Sequence, residues 1–215
     1  MERLNLLAVA LGLATLAGVN LYLTVFATGL AIHFHWITLA SPYQSLEVLG
    51  NPWILSIAGI LYLLEFFADK IPWVDSIWDA VHTVIRPIGG ALLAIQVLGH
   101  TSPAFTVVVA LLAGGTSLIA HTAKAATRLA SNTSPEPVTN IGLSLGEDAA
   151  VLGGLTLMQF NPLLALIIFL IAMGAFYYFA RKILRSIKRK IGFPRKRLAE
   201  PADRNVPAPD QTSVR

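Results

Sequence analysis

Long apolar runs, separated by short polar segments, dominate the pattern of the chain. The runs cover residues 4–34, 53–68, 88–100, 104–121, 138–160 and 163–180. A helix of about 20 apolar residues crosses the roughly 30 Å hydrocarbon core of a bilayer, so runs of this kind indicate transmembrane helices. As one straight helix the first run would span about 46 Å, and we expect it to break at Gly18-Val19-Asn20. The pattern therefore predicts six spans.

Three short motifs mark where these helices begin. Asn51-Pro52, Ser102-Pro103 and Asn161-Pro162 each place a capping residue and a proline directly before an apolar run, which is typical of a helix N-terminus. Charged, helix-compatible segments follow the runs at 69–86, 122–128 and 181–190. We predict an all-α polytopic membrane protein with about six transmembrane helices in three consecutive hairpins and with cytoplasmic amphipathic helices. The hairpins are placed at 18–68, 88–121 and 138–180.

The first apolar run is expected to be retained, because it is too long for the apolar core of a signal peptide and lacks a small-residue cleavage site. The depth of residues 1–17 in front of the first hairpin stays open. The transmembrane helical domain is placed at 1–180, a basic juxtamembrane helix at 181–197 and a disordered tail at 198–215.

Composition agrees with a membrane protein: 55% of residues are hydrophobic, 13% are charged and the mean hydropathy is +0.65. Residues 1–180 contain five Lys/Arg and nine Asp/Glu, whereas residues 181–215 contain eleven and three. The basic character therefore belongs to the tail, which predicts contact with anionic lipid headgroups and no nucleic-acid partner. The chain has no cysteine, which excludes disulfides and cysteine-ligated metals.

The basic residues also predict an orientation. If the loops at 69–87 and 122–137 and both termini are cytoplasmic, all 16 Lys/Arg lie on that side, as the positive-inside rule requires. We therefore expect a multi-pass protein of the bacterial inner membrane with both termini in the cytoplasm.

Two adjacent carboxyl groups are the main candidates for chemistry. Glu147 and Asp148 lie about 14 Å into the fifth run, near the bilayer midplane, where an ionised carboxylate is costly. Asn140 and Ser144 lie on the same helix face. A matching uncharged stripe lies 120 residues earlier in the chain and consists of Asn20, Thr24 and Thr28. The constant offset between the two stripes suggests an internal repeat. We predict that the two stripes and Glu65 line a polar passage or a binding site for a small ion or solute.

A second group of charged residues is predicted at the cytoplasmic rim. Acidic positions and His82 recur along one side of segment 73–85, and basic positions recur along the next loop, so the two are expected to pair. A divalent metal on the acidic side is a loose alternative, and we assign no metal and no cofactor. The predicted cluster comprises Asp69, Asp75, Asp79, His82, Arg86, His121, Lys124, Arg128 and Glu136.

Several segments together resemble the bacterial membrane family known as domain of unknown function 4126. These are residues 64–82, Arg86-Pro87-Ile88-Gly89-Gly90, Ala120 to Arg128, Asn132 to Pro137 and Ser144 to Asp148. The resemblance covers roughly residues 15–180 and implies a membrane protein without implying a particular activity.

Two functions remain open. One is a small ion- or proton-coupled solute transporter or channel, in which Glu147, Asp148 and Glu65 handle the ion and Arg86, Lys124 and Arg128 form a gate or counter-ion cluster. The other is a non-transporting protein that organises lipid or a partner protein, and in which the intramembrane carboxylates ion-pair and fix the helix arrangement. An enzyme finds little support, because no phosphate-binding loop or Ser/His/Asp arrangement is present. The oligomeric state stays open.

Overall fold

A computed structural model describes residues 2–132 and 137–190, and this part of the chain is all-helical. The elements are α1 (Glu2–Val19), α2 (Leu21–His33), a 3-10 helix (Ser41–Gly50), α3 (Pro52–Ala68), α4 (Pro72–Leu98), α5 (Pro103–Asn132), α6 (Pro137–Phe160) and α7 (Pro162–Lys190). The all-α prediction is confirmed. The last part of the predicted juxtamembrane helix (191–197), the predicted disordered tail (198–215) and Glu136 of the predicted charge cluster lie outside the described residues.

The capping motifs act as the sequence predicts. The Asn51 side chain accepts a hydrogen bond from the Trp53 amide at 2.9 Å, and that of Asn161 accepts one from the Leu164 amide at 3.0 Å. Each satisfies an amide that the first turn of a helix leaves without a partner. The helices α3 and α7 consequently begin at the predicted prolines, and α5 also begins at its predicted proline, Pro103.

Four helices of the described part are long and apolar enough to cross a membrane: Glu2–Val19, Trp73–Leu98, Pro103–Leu129 and Thr139–Phe160. The 3-10 helix and α3, which meet at 66°, would add a fifth span if they act as one. Leu21–His33 and Pro162–Ala175 are shorter apolar helices. Length and composition thus indicate a multi-pass membrane protein.

The outer surfaces agree with a lipid environment. Large apolar side chains such as Leu111, Ile171 and Phe160 are 65–83% exposed, and a soluble monomer rarely carries so much exposed apolar surface.

Helix α1 occupies the centre of the bundle, which resolves the open placement of residues 1–17. Eleven of its 18 residues are buried, and it packs against α4, α5, α6 and α7. Gly18 lies against the Ser117 carbonyl of α5, and Gly90 of α4 lies against Ala14 and Ser117. Small residues here let the helix backbones approach closely.

The chain reverses direction at Asn20. Gly12 faces Met158 while Asn20 reaches Asp148, so α1 runs antiparallel to α6. In α2, Phe26 packs on Tyr62 of α3, which itself reaches Asp148. Asn20 in front of α2 contacts Asp148, and Thr28 farther along α2 lines the same cavity as Leu152. The contacts advance in the same direction along both helices, so α2 runs parallel to α6, and α1 and α2 form a helical hairpin.

This reversal determines which face of the bundle the start of α1 reaches, while the cytoplasmic location of both termini stays a prediction. Val9 and Leu13 line the same cavity as Tyr43 of the 3-10 helix, so the N-terminal half of α1 lies at the face that carries the 34–50 connection. Helix α7 starts at that face, beside the end of α6, and runs away from it. The physical reason is the close packing of α1, which fixes its direction irrespective of the single Arg3.

The predicted amphipathic segments are not separate helices. Helix α4 is continuous through Pro87, and α5 is continuous from Pro103 to Asn132. The polar side of segment 73–85 turns toward the bundle, whereas Trp73 and Ile77 on the other side are 83% and 63% exposed. The predicted periodicity is present, but its polar face is buried because it meets charged residues of α3 and α5.

Candidate functional site

A network of buried ion pairs joins four helices. Glu65 of α3, which is completely buried, accepts from Arg86 of α4 at 2.5 Å and from Lys124 of α5 at 3.1 Å. The Lys124 ammonium also lies 3.3 Å from Asp69 and 3.3 Å from Glu147. Removing a single partner from such a network would leave a buried charge uncompensated.

Arg128 of α5 completes the network. Its guanidinium donates to both carboxylate oxygens of Glu147, from Nε at 3.1 Å and from Nη2 at 2.7 Å. It also donates from Nη2 to Asp69 at 2.8 Å and lies 3.8 Å from Asp75. The planar guanidinium suits this two-point contact, so Glu147 is held in one geometry.

Asp148, the next residue, has quite different partners. The Asn20 side-chain amide donates to its Oδ1 at 3.0 Å, and the Tyr62 hydroxyl donates to its Oδ2 at 3.0 Å. Both donors are uncharged, and the residue is 9% exposed. Asn20 itself caps α2, since its Oδ1 accepts from the Leu23 amide at 2.9 Å. The reversal between α1 and α2 thus places a donor on Asp148.

Two histidines border the network, and their contacts define their tautomers. Nδ1 of His121 lies 2.9 Å from an Arg86 nitrogen that can only donate, so this ring nitrogen accepts and Nε2 carries the proton. Nδ1 of His82 donates to the Trp78 carbonyl at 2.7 Å, which leaves Nε2 to accept from the Tyr22 hydroxyl at 3.0 Å. With both ring nitrogens of His82 engaged, the loose metal alternative loses its imidazole ligand.

The remaining stripe residues are buried beside these groups. Thr24 donates its hydroxyl to the Asn20 carbonyl at 2.7 Å, and Asn140 accepts from Ser131 at 2.7 Å. Within the described residues, the hydroxyls of Ser144 and Thr28 have no hydrogen-bond partner. Asn20 caps a helix whereas Asn140 lies inside one, and the internal repeat stays a prediction.

Two titratable groups lie in the connection between α3 and α4. Burial raises the pKa of the Asp69 carboxyl, and the attraction of Lys124 and Arg128 offsets this only in part. Partial burial lowers the pKa of the Lys70 ammonium, which donates to the Phe66 carbonyl and lies 3.0 Å from the centre of the Phe66 ring.

A cavity of about 650 Å³ opens between α2 and α6. Thr28 and Leu152 line this cavity. Thr28 lies one helical turn after Thr24, whose hydroxyl donates to the Asn20 carbonyl, and Leu152 lies one turn after Asp148. A turn rises about 5.4 Å. The cavity therefore lies one to two turns from the carboxyl group, along the predicted polar faces of both helices.

The structure brings together nearly all the predicted site residues. The described residues of the charge cluster meet around Arg86, Lys124 and Arg128, whereas Glu136 lies outside the described residues. The two polar stripes meet at the hydrogen bond between Asn20 and Asp148. No sequence pattern singles out Tyr62 and Tyr22, because tyrosines are common in membrane proteins. Within the described residues, buried or nearly buried carboxyl groups outnumber the buried lysine and arginine side chains by six to three.

The comparison with known families agrees with the resemblance of the motifs. Residues 7–182 match the family described as domain of unknown function (DUF4126). The chain belongs to this family. The match covers every residue of the charge network and the Asp148 site of this DUF4126 protein. No curated protein and no solved structure matches the chain.

Proposed function

We propose that this DUF4126 protein is a small proton-coupled transporter of the bacterial inner membrane and that Asp148 carries the proton. One observation carries the proposal: Asp148 is buried within α6, and the side chains that donate hydrogen bonds to it in the described part of the chain, Asn20 and Tyr62, are uncharged. An ionised carboxylate at such a depth costs about 2.5–3.5 kcal/mol on insertion scales, and binding a proton removes the charge. A group of this kind can take up and release a proton during a transport cycle.

The neighbouring carboxylates receive a different role in this proposal. Glu65 and Glu147 are counter-ions of Arg86, Lys124 and Arg128, which we propose as the gate or counter-ion cluster. The excess of carboxyl groups over cations supports proton binding, because the low dielectric constant opposes an uncompensated negative charge. The cavity beside Asp148 supplies space for a solute.

The proposed topology has three hairpins, α2–α3, α4–α5 and α6–α7, with each helix crossing the membrane, and α1 as a central helix that starts at the opposite face. Lys70 and Arg181 then lie toward the cytoplasm, whereas Arg3 lies toward the outside. The basic residues that begin at Arg181 are proposed to bind anionic lipid headgroups.

The experiment measures proton movement in proteoliposomes with an enclosed pH-sensitive dye after a potassium diffusion potential is imposed. We expect flux above that of empty liposomes for the native protein, and flux at the level of empty liposomes for Asp148→Asn. Glu47→Gln, which neutralises an exposed acidic residue of the 3-10 helix, is the matched control and should behave like the native protein. Native flux in a correctly folded Asp148→Asn variant would remove the proposed role of this residue.

A second candidate is the non-transporting membrane protein that organises lipid or a partner. The ion-pair network favours it, since Arg86, Lys124 and Arg128 together connect α3, α4, α5 and α6 as a structural clamp would. This candidate predicts no proton flux in any variant and a loss of thermal stability when Asp148 is neutralised.

A further inference from the structure

We infer that the cavity between α2 and α6 binds an uncharged, mainly apolar molecule that ends in an oxygen acceptor, such as a hydroxyl or a carbonyl group. The volume of about 650 Å³ falls in the range of about 300–1,000 Å³ that is typical of small-molecule sites. Four parts of the chain enclose it: α1, α2, residues 36–46 and the second half of α6 with Pro162.

The lining defines the body of the ligand. Apolar side chains such as Leu13, Phe26, Trp36 and Leu155 make up most of it. Within the described residues no charged side chain lines the cavity. A charged group placed there would lose its hydration without an ion-pair partner, so the site selects an uncharged molecule.

Thr28 defines the polar end of the ligand. In a helix, a threonine hydroxyl often donates to the carbonyl four residues before, as that of the buried Thr15 does to Leu11 at 2.7 Å and that of the exposed Thr156 does to Leu152 at 2.9 Å. Thr28 is 9% exposed and its hydroxyl has no partner within the described residues. Thr28 lines the cavity, and its hydroxyl oxygen is buried at the wall. We infer that a rotation of this side chain presents the hydroxyl proton to an acceptor on a bound molecule.

The position of the site connects it to the proposed function. The cavity lies one to two helical turns from the Asp148 carboxyl group, so a molecule bound to Thr28 would lie within about two turns of the proposed proton carrier. The identification of this molecule as the transported solute rests on the proposed function, whereas the binding of the molecule to the cavity does not. Asp148→Asn is therefore expected to stop proton flux and to leave the affinity for the ligand unchanged.

The experiment measures binding by isothermal titration calorimetry to the full chain in phosphatidylcholine nanodiscs, with empty nanodiscs subtracted. Three probes share one chain length and differ at the end: decanol, decanoate and decylammonium. We expect decanol to bind at least tenfold more tightly than either charged probe. Diacylglycerol, detected by native mass spectrometry, is a separate arm. If diacylglycerol stays bound, the natural ligand is a membrane lipid with the same uncharged, oxygen-bearing end. If only decanol binds, the natural ligand is a free solute.

The variants test the two parts of the site separately. Thr28→Val keeps the shape and removes the hydroxyl, and we expect the affinity for decanol to fall about tenfold, as a lost hydrogen bond predicts. Thr28→Ser should retain the affinity. Leu152→Trp fills the cavity and should reduce binding at least tenfold. The control is Thr15→Val, another buried threonine that does not line the cavity, and it should bind decanol like the native chain.

Three results would overturn the inference. They are a decanol signal no larger than that of empty nanodiscs, decanoate binding as tight as decanol binding, and unchanged decanol affinity in Thr28→Val. Melting curves in the same nanodiscs identify variants that fail to fold. If Thr28→Val does not fold, the other two variants still test the proposed site. Loss of decanol binding in Thr28→Ser would contradict the site, and so would native decanol binding in Leu152→Trp.

Discussion

At the scale of single residues, Glu147 and Asp148 show how one helical step separates two identical charges. Successive residues of an α-helix point about 100° apart, so Glu147 faces Arg128 of α5 while Asp148 faces Asn20 and Tyr62. The first carboxylate is neutralised by an ion pair, and the second has no ion pair among the described residues. These different surroundings, rather than depth, are why the proposed function gives Glu147 a structural role and Asp148 the role of proton carrier.

The ion pairs make a quantitative prediction at this scale. Arg128→Met leaves Glu147 and Asp69 without their guanidinium partner, and we expect it to lower the free energy of unfolding by about 3–5 kcal/mol. The measurement is denaturant unfolding in detergent, followed by circular dichroism.

Lys70→Met is the matched control for that experiment. The Lys70 ammonium donates to the Phe66 carbonyl and lies over the Phe66 ring, outside the ion-pair network, so its loss should cost less than about 1 kcal/mol. Equal stabilities for the two variants would contradict the proposed contribution of the network.

At the scale of elements, glycine positions decide how closely α1 approaches its neighbours. A side chain at Gly18 would collide with the backbone carbonyl of Ser117, which cannot rotate away, whereas one at Gly153 would meet no atom within 4 Å. The Gly18 carbonyl also accepts from Arg86 at 3.1 Å. The centre of the bundle and the charge network therefore depend on the same close approach.

We accordingly expect Gly18→Ala to destabilise the protein by about 1–3 kcal/mol, because overpacking forces α1 away from α5. Gly153→Ala should be neutral or stabilise α6 by up to about 1 kcal/mol, since alanine loses less conformational entropy in a helix. Unfolding midpoints of the two variants in the same detergent provide the comparison. If Gly18→Ala is as stable as the native protein, α1 does not pack as described.

At the scale of the whole molecule, the reversal at Asn20 determines which face each end reaches. The start of α1 shares a face with the 3-10 helix, and α7 ends toward the opposite face. In the proposed topology the chain therefore crosses the membrane an odd number of times. The charge network lies toward the face that carries the α3–α4 connection, and the cavity lies toward the other, so the two halves of the bundle differ in chemistry.

This arrangement is testable because the chain has no cysteine, which makes single-cysteine variants unambiguous. In oriented membrane vesicles, a membrane-impermeant maleimide should label Arg3→Cys and Gln44→Cys from one side and Arg181→Cys from the other. Each of these positions is exposed. Labelling of Arg3→Cys and Arg181→Cys from the same side would restore the orientation that the basic residues predict.

The sequence by itself determined the all-α class, the starting residues of α3, α5 and α7, the membrane environment and the identity of the polar residues. These depend on local properties: apolar run length, capping residues and helical periodicity act over one or a few turns. The pairing of acidic with basic residues in the predicted charge cluster follows from a similar rule, because a buried cation inside a membrane helix requires a carboxylate nearby.

Only the tertiary structure decided that α1 is the centre of the bundle, that the polar side of α4 is buried and that Asp148 is held by uncharged donors. Asn20 and Asp148 are 128 residues apart in the chain, and no local pattern specifies which distant helices meet. The cavity has the same origin, since it is the space that α2 and α6 leave between them. Packing fixes such relations because many helix arrangements bury similar apolar area, and only complementary shapes and compensated charges distinguish them.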